Sequence, residues 1–330
     1  MSLTNPISRP AADVGPGVPP ARRSGDRPNV VASLPPVPPA GERPADPEPS
    51  TVGSDQPRVS VVVPTYNEAK NLPHVFRRLP ADVHEVIVVD GHSVDGTVEV
   101  ARALRPDVRV VMQNRRGKGN AMACGFAAAT GDVVVMLDAD GSADPDEIPS
   151  FVAALVDGAD FAKGSRFTAG GGSADITQTR AWGNRWLNQL ANALFGTRYS
   201  DLCYGYNAFW RYCLDCLELD PRPAVAGGRR WGDGFEIETI INTRMAKAGM
   251  RITEVPSFEH PRVHGESHLN TWRDGTRVLR ALLVERVNGK ARRGAVRRPE
   301  RAAAPVDEVQ EPNVVAPATS LGDAPQALTA

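Results

Sequence analysis

Glu85-Val-Ile-Val-Val-Asp-Gly-His-Ser-Val-Asp-Gly-Thr97 holds an apolar β-branched run, a polar turn and the start of a helix in one short stretch. The run is too short for a buried helix and too uniformly apolar for a half-exposed strand, so it predicts a strand buried on both faces. Thr97 to Leu104 then has helical spacing. The same alternation continues outward in both directions. Arg58-Val-Ser-Val-Val-Val63 predicts a strand that stops at Pro64, and Leu72 to Leu79 a helix with Asn71 as its cap and Pro73 in its first turn. Val108-Arg-Val-Val111 gives a third strand, Asn120 to Ala129 a helix and Val133 to Leu137 a fourth strand. Pro145 to Val156 follows as a helix capped by Asp144, then Asp160-Phe-Ala162 as another strand. Short apolar strands separated by helices describe an α/β fold: a Rossmann-like, mostly parallel sheet with helices on both faces.

Composition bounds the rest. Fourteen of the 29 prolines precede Val59 and no hydrophobic period survives among them, so residues 1–57 read as a disordered proline-rich tail. Residues 294–330 are again rich in Ala, Pro and Glu and read as a second disordered tail, leaving 58–293 as one domain. The 38 Lys+Arg against 39 Asp+Glu leave a formal charge of −1, which provides no field for nucleic acid. No run of 18 apolar residues exists to span a bilayer, and no h-region of a secretory signal is present. The expected location is cytoplasmic, soluble or peripheral to the membrane. The four cysteines read as reduced thiols.

In such a sheet, ligands bind beyond the carboxyl ends of the strands. The loops there are Pro64-Thr-Tyr-Asn-Glu68, Asp90 to Thr97, Arg115-Arg-Gly-Lys-Gly119, Asp138-Ala-Asp140 and Gly164-Ser-Arg166. Asp138 and Asp140 can converge on one hard cation, magnesium or manganese; the alternative is a pair of turn carboxylates ahead of Pro145. Arg115, Arg116 and Lys118 either cradle phosphate or form a solvated charge run, and the spacing around Lys118 is not that of a Walker A loop. No strand leads into Gly-x-Gly-x-x-Gly, which argues against a nicotinamide enzyme. Asp233, Glu236 and Glu238 read as the acidic start of a helix, with Glu236 or Asp233 as a general base toward a hydroxyl the alternative. His260, His264 and His268 are spaced as for a helical zinc site, but Pro261 and Gly265 interrupt that helix, which favours phosphate contact by one of them over zinc. Trp182, Trp186, Leu190 and Leu194 repeat every four residues, for which core packing is the default and partial exposure to a lipid tail the alternative. Thr271 to Asn288 predicts a helix apolar at Val278, Leu279, Leu282, Leu283 and Val287. The basic residues around its end (Arg286, Lys290, Arg292, Arg293, Arg297, Arg298 and Arg301) belong either to a solvated tail or to a surface lying on anionic lipid headgroups.

Taken together, Pro64 to Glu68, Val88 to Thr97, Lys118, Asp138-Ala-Asp140 and Gly164-Ser-Arg166 resemble the inverting family 2 glycosyltransferases of the GT-A fold. The later stretches resemble the branch of dolichyl- and polyprenyl-phosphate sugar transferases. They are Arg180…Asn184, Asp201 to Asn207, Gly234 to Glu238, Glu254 to Pro256 and Arg262…Gly265-Glu-Ser267. The resemblance implies a nucleotide-binding half at 58–166 and an acceptor half at 167–293. It implies that Pro64, Tyr66, Glu68, Asp90, Lys118, Asp138 and Asp140 bind a nucleotide-diphosphate sugar, with Asp138 and Asp140 also holding magnesium or manganese. Arg166, Arg180, Asn184, Arg262 and Ser267 would meet the acceptor, and Asp140, Arg166 and Arg262 would be catalytic. The implied acceptor is a polyprenyl phosphate at the inner membrane face; a soluble small molecule is the alternative, and a non-catalytic nucleotide-sugar binding module a further one. Gly91 and His92 depart from the Asp-Gly pair usual after the second strand in mannosyltransferases, and His268 stands where the family commonly has Lys.

Overall fold

The computed structural model describes residues 56–224, 228, 230–265 and 271–288. In chain order the elements are β1 (Val59–Thr65), α1 (Leu72–Phe76), β2 (Glu85–Asp90), α2 (Thr97–Leu104), β3 (Arg109–Met112), α3 (Lys118–Ala128), β4 (Val133–Met136) and α4 (Ile148–Val156). They continue with β5 (Phe161–Ser165), β6 (Gly172–Ser173), α5 (Gln178–Phe195), β7 (Asn207–Trp210), α6 (Leu214–Leu217), α7 (Ile237–Lys247), β8 (Ile252–Pro256), β9 (Phe258–Glu259) and α8 (Thr271–Val287). Seven strands form one sheet in the order β3-β2-β1-β4-β7-β5-β8, and β6 pairs with β9 in a small second sheet. All pairings of the large sheet are parallel except those of β7, which runs antiparallel between β4 and β5. The chain therefore winds outward from β1 to β3 and restarts at β4 on the other side of β1, making a switch point at the carboxyl ends of β1 and β4.

Period-two alternation assigns each strand residue to a layer. Val61, Val63, Val86 and Val88 pack with Leu72 and Val75 of α1, Ala101 of α2 and Phe151 and Leu155 of α4. Val62, Ile87, Val89 and Val134 pack on the opposite face with Met122 and Phe126 of α3 and Ile237, Ile241 and Met245 of α7. A Cβ on Gly125 would lie 2.3 Å from Val62 Cγ1, so this glycine lets α3 sit directly on the sheet. A third cluster joins α5 to α8 through Leu187, Ala191 and Leu282.

Three local expectations are corrected. β1 runs through Pro64 to Thr65; the nitrogen of Pro64 faces the β4 side, where pairing has already ended at Met136, so the missing N–H leaves no ladder bond unmade. Asn71 takes the N-cap position of α1, but its side chain makes no capping bond; its Nδ2 donates to Glu68 Oε2 (2.6 Å) and to the His264 carbonyl (3.2 Å). Lys118 is the first residue of α3, not a loop residue before it. Asp144 caps as expected, accepting from Asp146 N at 3.0 Å.

The amino edge of the sheet is locked by one carboxylate. Glu85 Oε1 accepts from Ser60 Oγ, Thr130 N and Thr130 Oγ1, each at 2.7 Å, and Oε2 from Arg109 Nη1 at 2.7 Å. Burial opposes its charge, but these donors hold the carboxyl down at about 2. A folded pKa below the ordinary 4.5 contributes stability that is present above that pH and is lost as the pH falls toward 2. Glu85→Ala, which strands the hydroxyls of Ser60 and Thr130, should lower stability by about 2 kcal/mol in urea denaturation at pH 7, and should flatten the acid side of the stability profile.

Candidate active site

At the carboxyl edge, β2 ends in Asp90, and β1 and β4 lead into Glu68 and into Asp138 and Asp140. Asp90 is buried; its carboxylate accepts from Ser93 N (3.0 Å), Ser93 Oγ (2.5 Å) and Thr65 Oγ1 (3.5 Å). A Cβ on Gly91 would come within 3.1 Å of the Tyr66 ring, which stands 66% exposed above it. His92, in the position usually held by glycine, adopts φ +66° and is steadied by Nε2 against the Gln113 carbonyl at 2.9 Å.

Past β4, each aspartate has its own cation. Lys118 Nζ lies 2.7 Å from Asp138 Oδ1 and 2.7 Å from Glu238 Oε1. Burial works against the ammonium, yet the two carboxylates hold its pKa above the usual lysine range. Glu238, on α7, is pushed up by burial and pulled back by Lys118. Gly205 lies over this triad: a Cβ there would meet Lys118 Nζ at 3.2 Å and Asp138 Oδ2 at 3.5 Å. Asp140 accepts from Ser142 N and Oγ through Oδ1 and meets Arg262 Nη2 at 2.8 Å through Oδ2. Glu68 completes the group; burial raises its carboxyl, the charges of Asp140 and Asp138 push the same way, and Asn71 and Arg262 oppose them. Asp138 and Asp140 offer only hard oxygen donors, which suit magnesium or manganese. Among the described residues no three His, Cys, Asp or Glu side chains are grouped to hold a metal, so a cation here would need oxygen ligands beyond the two aspartates.

Other expected residues fall elsewhere. The Arg166 guanidinium is in a buried clamp, with Nε and Nη2 on Asp201 (2.7 and 2.9 Å), Nη1 on Glu259 (2.9 Å) and the Tyr204 ring 4.9 Å from its carbon. Asn184 Nδ2 joins the same carboxylate at 2.9 Å. Arg180 opens α5 and reaches Asp175 at 3.5 Å. Ser267 and His268, and the basic residues beyond Asn288, lie outside the described residues. Trp182 and Trp186 are not core: they stand 72% and 47% exposed, opposite the face of α5 that buries Asn184, Leu187, Asn188 and Ala191. α8 packs with α5 through Leu282 and leaves Leu283 and Val287 exposed. No helix among the described residues is long and apolar enough to cross a membrane.

Arg115 neither cradles phosphate nor floats in solvent. Its side chain is 4% exposed and pairs with Asp233, 3% exposed, at 2.8 Å. That pairing takes Asp233 out of consideration as a general base. Glu238 as the partner of Lys118 had no local signal, because the two residues meet only where the segment leading into α7 docks on the first turn of α3, with Gly119 N donating to the Asp233 carbonyl at 2.9 Å.

The sequence profile of glycosyl transferase family 2 matches residues 60–217. The chain is 34% identical over 223 residues to the undecaprenyl-phosphate mannosyltransferase of Micrococcus luteus, covering 64% of this chain and 88% of that protein. It is 33% identical over 231 residues to the polyprenol monophosphomannose synthase of Mycolicibacterium smegmatis, covering 67% and 83%. Among solved structures, the glucosyl-3-phosphoglycerate synthase of Mycobacterium tuberculosis, in complex with Mn2+, UDP and glucosyl-3-phosphoglycerate, superposes with a TM-score of 0.53. At 24% identity over 70% of this chain and 80% of that one, it shows the fold alone. The chain belongs to glycosyl transferase family 2, with the GT-A fold, and is a glycosyltransferase.

Arg115→Met should cost about 3–5 kcal/mol in urea denaturation, because it leaves the Asp233 carboxylate buried without its counter-ion.

Proposed function

We propose that the protein transfers a sugar from a UDP- or GDP-sugar to a polyprenyl phosphate, with inversion, as a peripheral protein at the cytoplasmic face of the membrane. The observation that carries this reading is the charge arrangement at the switch point: Glu68, Asp138 and Asp140 facing Lys118 and Arg262. A diphosphate is the ligand such an arrangement suits, since cations meet its oxygens and carboxylates meet a divalent ion riding on it. The lipid acceptor is supported by the names of the relatives and by the two outward tryptophans of α5, side chains suited to a water–lipid boundary.

In this reading Pro64, Tyr66, Glu68 and Asp90 hold base and ribose, and Lys118, Asp138 and Asp140 the diphosphate. Asp138 and Asp140 hold magnesium or manganese, which when bound neutralises charge on the leaving diphosphate. Arg262 and Arg180 meet the acceptor phosphate together with Ser267. Arg166 and Asn184 act at the same end of the sheet through the clamp on Asp201. The acceptor phosphate is already an anion at neutral pH and needs no strong base. Its oxygen forms a bond to the anomeric carbon as the bond from that carbon to the diphosphate oxygen breaks, and the nucleoside diphosphate leaves with the electron pair. Orientation and charge neutralisation supply the rate.

The test is release of nucleoside diphosphate from a panel of UDP- and GDP-sugars with Mg2+ or Mn2+, with and without a short-chain polyprenyl phosphate. Release that requires the lipid phosphate is expected. Release that requires a soluble phosphorylated or hydroxylated metabolite instead would replace the acceptor. Asp140→Asn should lower turnover by about 10²–10³-fold while leaving the thermal unfolding transition cooperative.

A further inference from the structure

From the unequal footing of the two aspartate–cation pairs we infer that Arg262 is an exchangeable internal counter-ion for Asp140. A divalent cation and this arginine compete for one carboxylate, and metal binding sets the arginine free. The inference rests on the reading of Asp140 as a metal ligand.

Lys118 is fixed. It is the first residue of α3, its side chain is 13% exposed, and it is shared between Asp138 and the buried Glu238. Withdrawing it would leave Glu238 as an uncompensated buried charge, which is costly. Arg262 is held differently. Its side chain is 30% exposed, and Asp140 is the carboxylate it touches. It lies on an exposed stretch, with Pro261, Val263, His264 and Gly265 all facing solvent. That stretch crosses the turn after β4 as a strap, tied by His260 N to the Ser142 carbonyl (2.8 Å), Val263 N to the Asp140 carbonyl (3.3 Å) and Asn71 Nδ2 to the His264 carbonyl (3.2 Å). A guanidinium already close to water loses little on leaving the carboxylate, whereas a doubly charged hard ion gains more from it than a single positive charge does. Asp140 itself stays in place through the two bonds from Ser142. Once displaced, the arginine fork is available to bind phosphate bidentately. Because binding linkage is reciprocal, whatever draws Arg262 from Asp140 also tightens the metal site.

The experiment is Mn2+ binding to the full chain without nucleotide or acceptor, followed by the electron paramagnetic resonance signal of free Mn2+. Hydrogen exchange of the peptide covering residues 258–265 is read alongside it. Arg262→Gln should bind Mn2+ about fivefold or more tightly than the unaltered protein, and Arg262→Lys, which keeps the charge, should stay close to it. In the unaltered protein Mn2+ should speed exchange in the strap; in Asp140→Asn both Mn2+ binding and that response should be lost. Equal binding by Arg262→Gln and the unaltered protein, undetectable binding in both included, overturns the competition, as does weaker binding by Arg262→Gln. If instead Asp140→Asn binds Mn2+ as well as the unaltered protein, the metal assignment itself fails, and the competition with it.

Discussion

A parallel sheet delivers the ends of its strands to one edge, and in this protein those ends are acidic. Burial raises the Glu68 carboxyl, and Asp140 and Asp138 lie close enough that their charges push it the same way. Such a gathering persists only if positive charge is brought to it from elsewhere, and the later half of the structure does so. α7 carries Glu238, which helps hold Lys118 against Asp138, and the strap after β9 carries Arg262 to Asp140. The second half of the domain is thus tied to the first by electrostatic need as well as by its apolar contacts.

The two edges of the sheet treat charge in opposite ways. At the amino edge, Glu85 has every oxygen engaged by neighbours on β1, β3 and the turn before β4; burial opposes its charge, but these hydrogen bonds hold its pKa low and leave nothing there for a ligand to supply. At the carboxyl edge, Asp138 keeps a 36% exposed side chain and its cation is shared with a second carboxylate. The first arrangement stabilises the fold. The second leaves the Asp138 carboxylate accessible, with charges around it that a diphosphate or a metal ion can rearrange.

Much of this was legible in the sequence, and what escaped has a common cause. Apolar runs such as Glu85–Val89 and Val133–Leu137 mark buried strands because hydrophobic patterning is local. The acids at their ends mark the ligand edge because topology puts them there. The antiparallel strand β7 escaped because four residues, Asn-Ala-Phe-Trp, carry no periodic signal; its place between β4 and β5 is decided by partners far away in the chain. Arg115 looked like one member of a surface charge run, but Asp233 reaches it from a segment more than a hundred residues later that docks on the first turn of α3. Trp182 and Trp186 fit a core-facing repeat, and the neighbouring Asn184, Leu187, Asn188 and Ala191 took the inward positions instead. Pairings across the fold, and the choice between two faces of one helix, are tertiary facts that local spacing does not contain.

The family profile ends at residue 217, before both Glu238 and Arg262. The stretch that the profile covers is therefore not an electrically balanced unit. It keeps Asp138, Asp140 and Lys118 but lacks the positive charge that stands against Asp140 and the second carboxylate that holds Lys118 in place. A different second half grafted onto the same first half, as a route to a new acceptor, would have to bring a cation to the turn after β4 whatever else it changed.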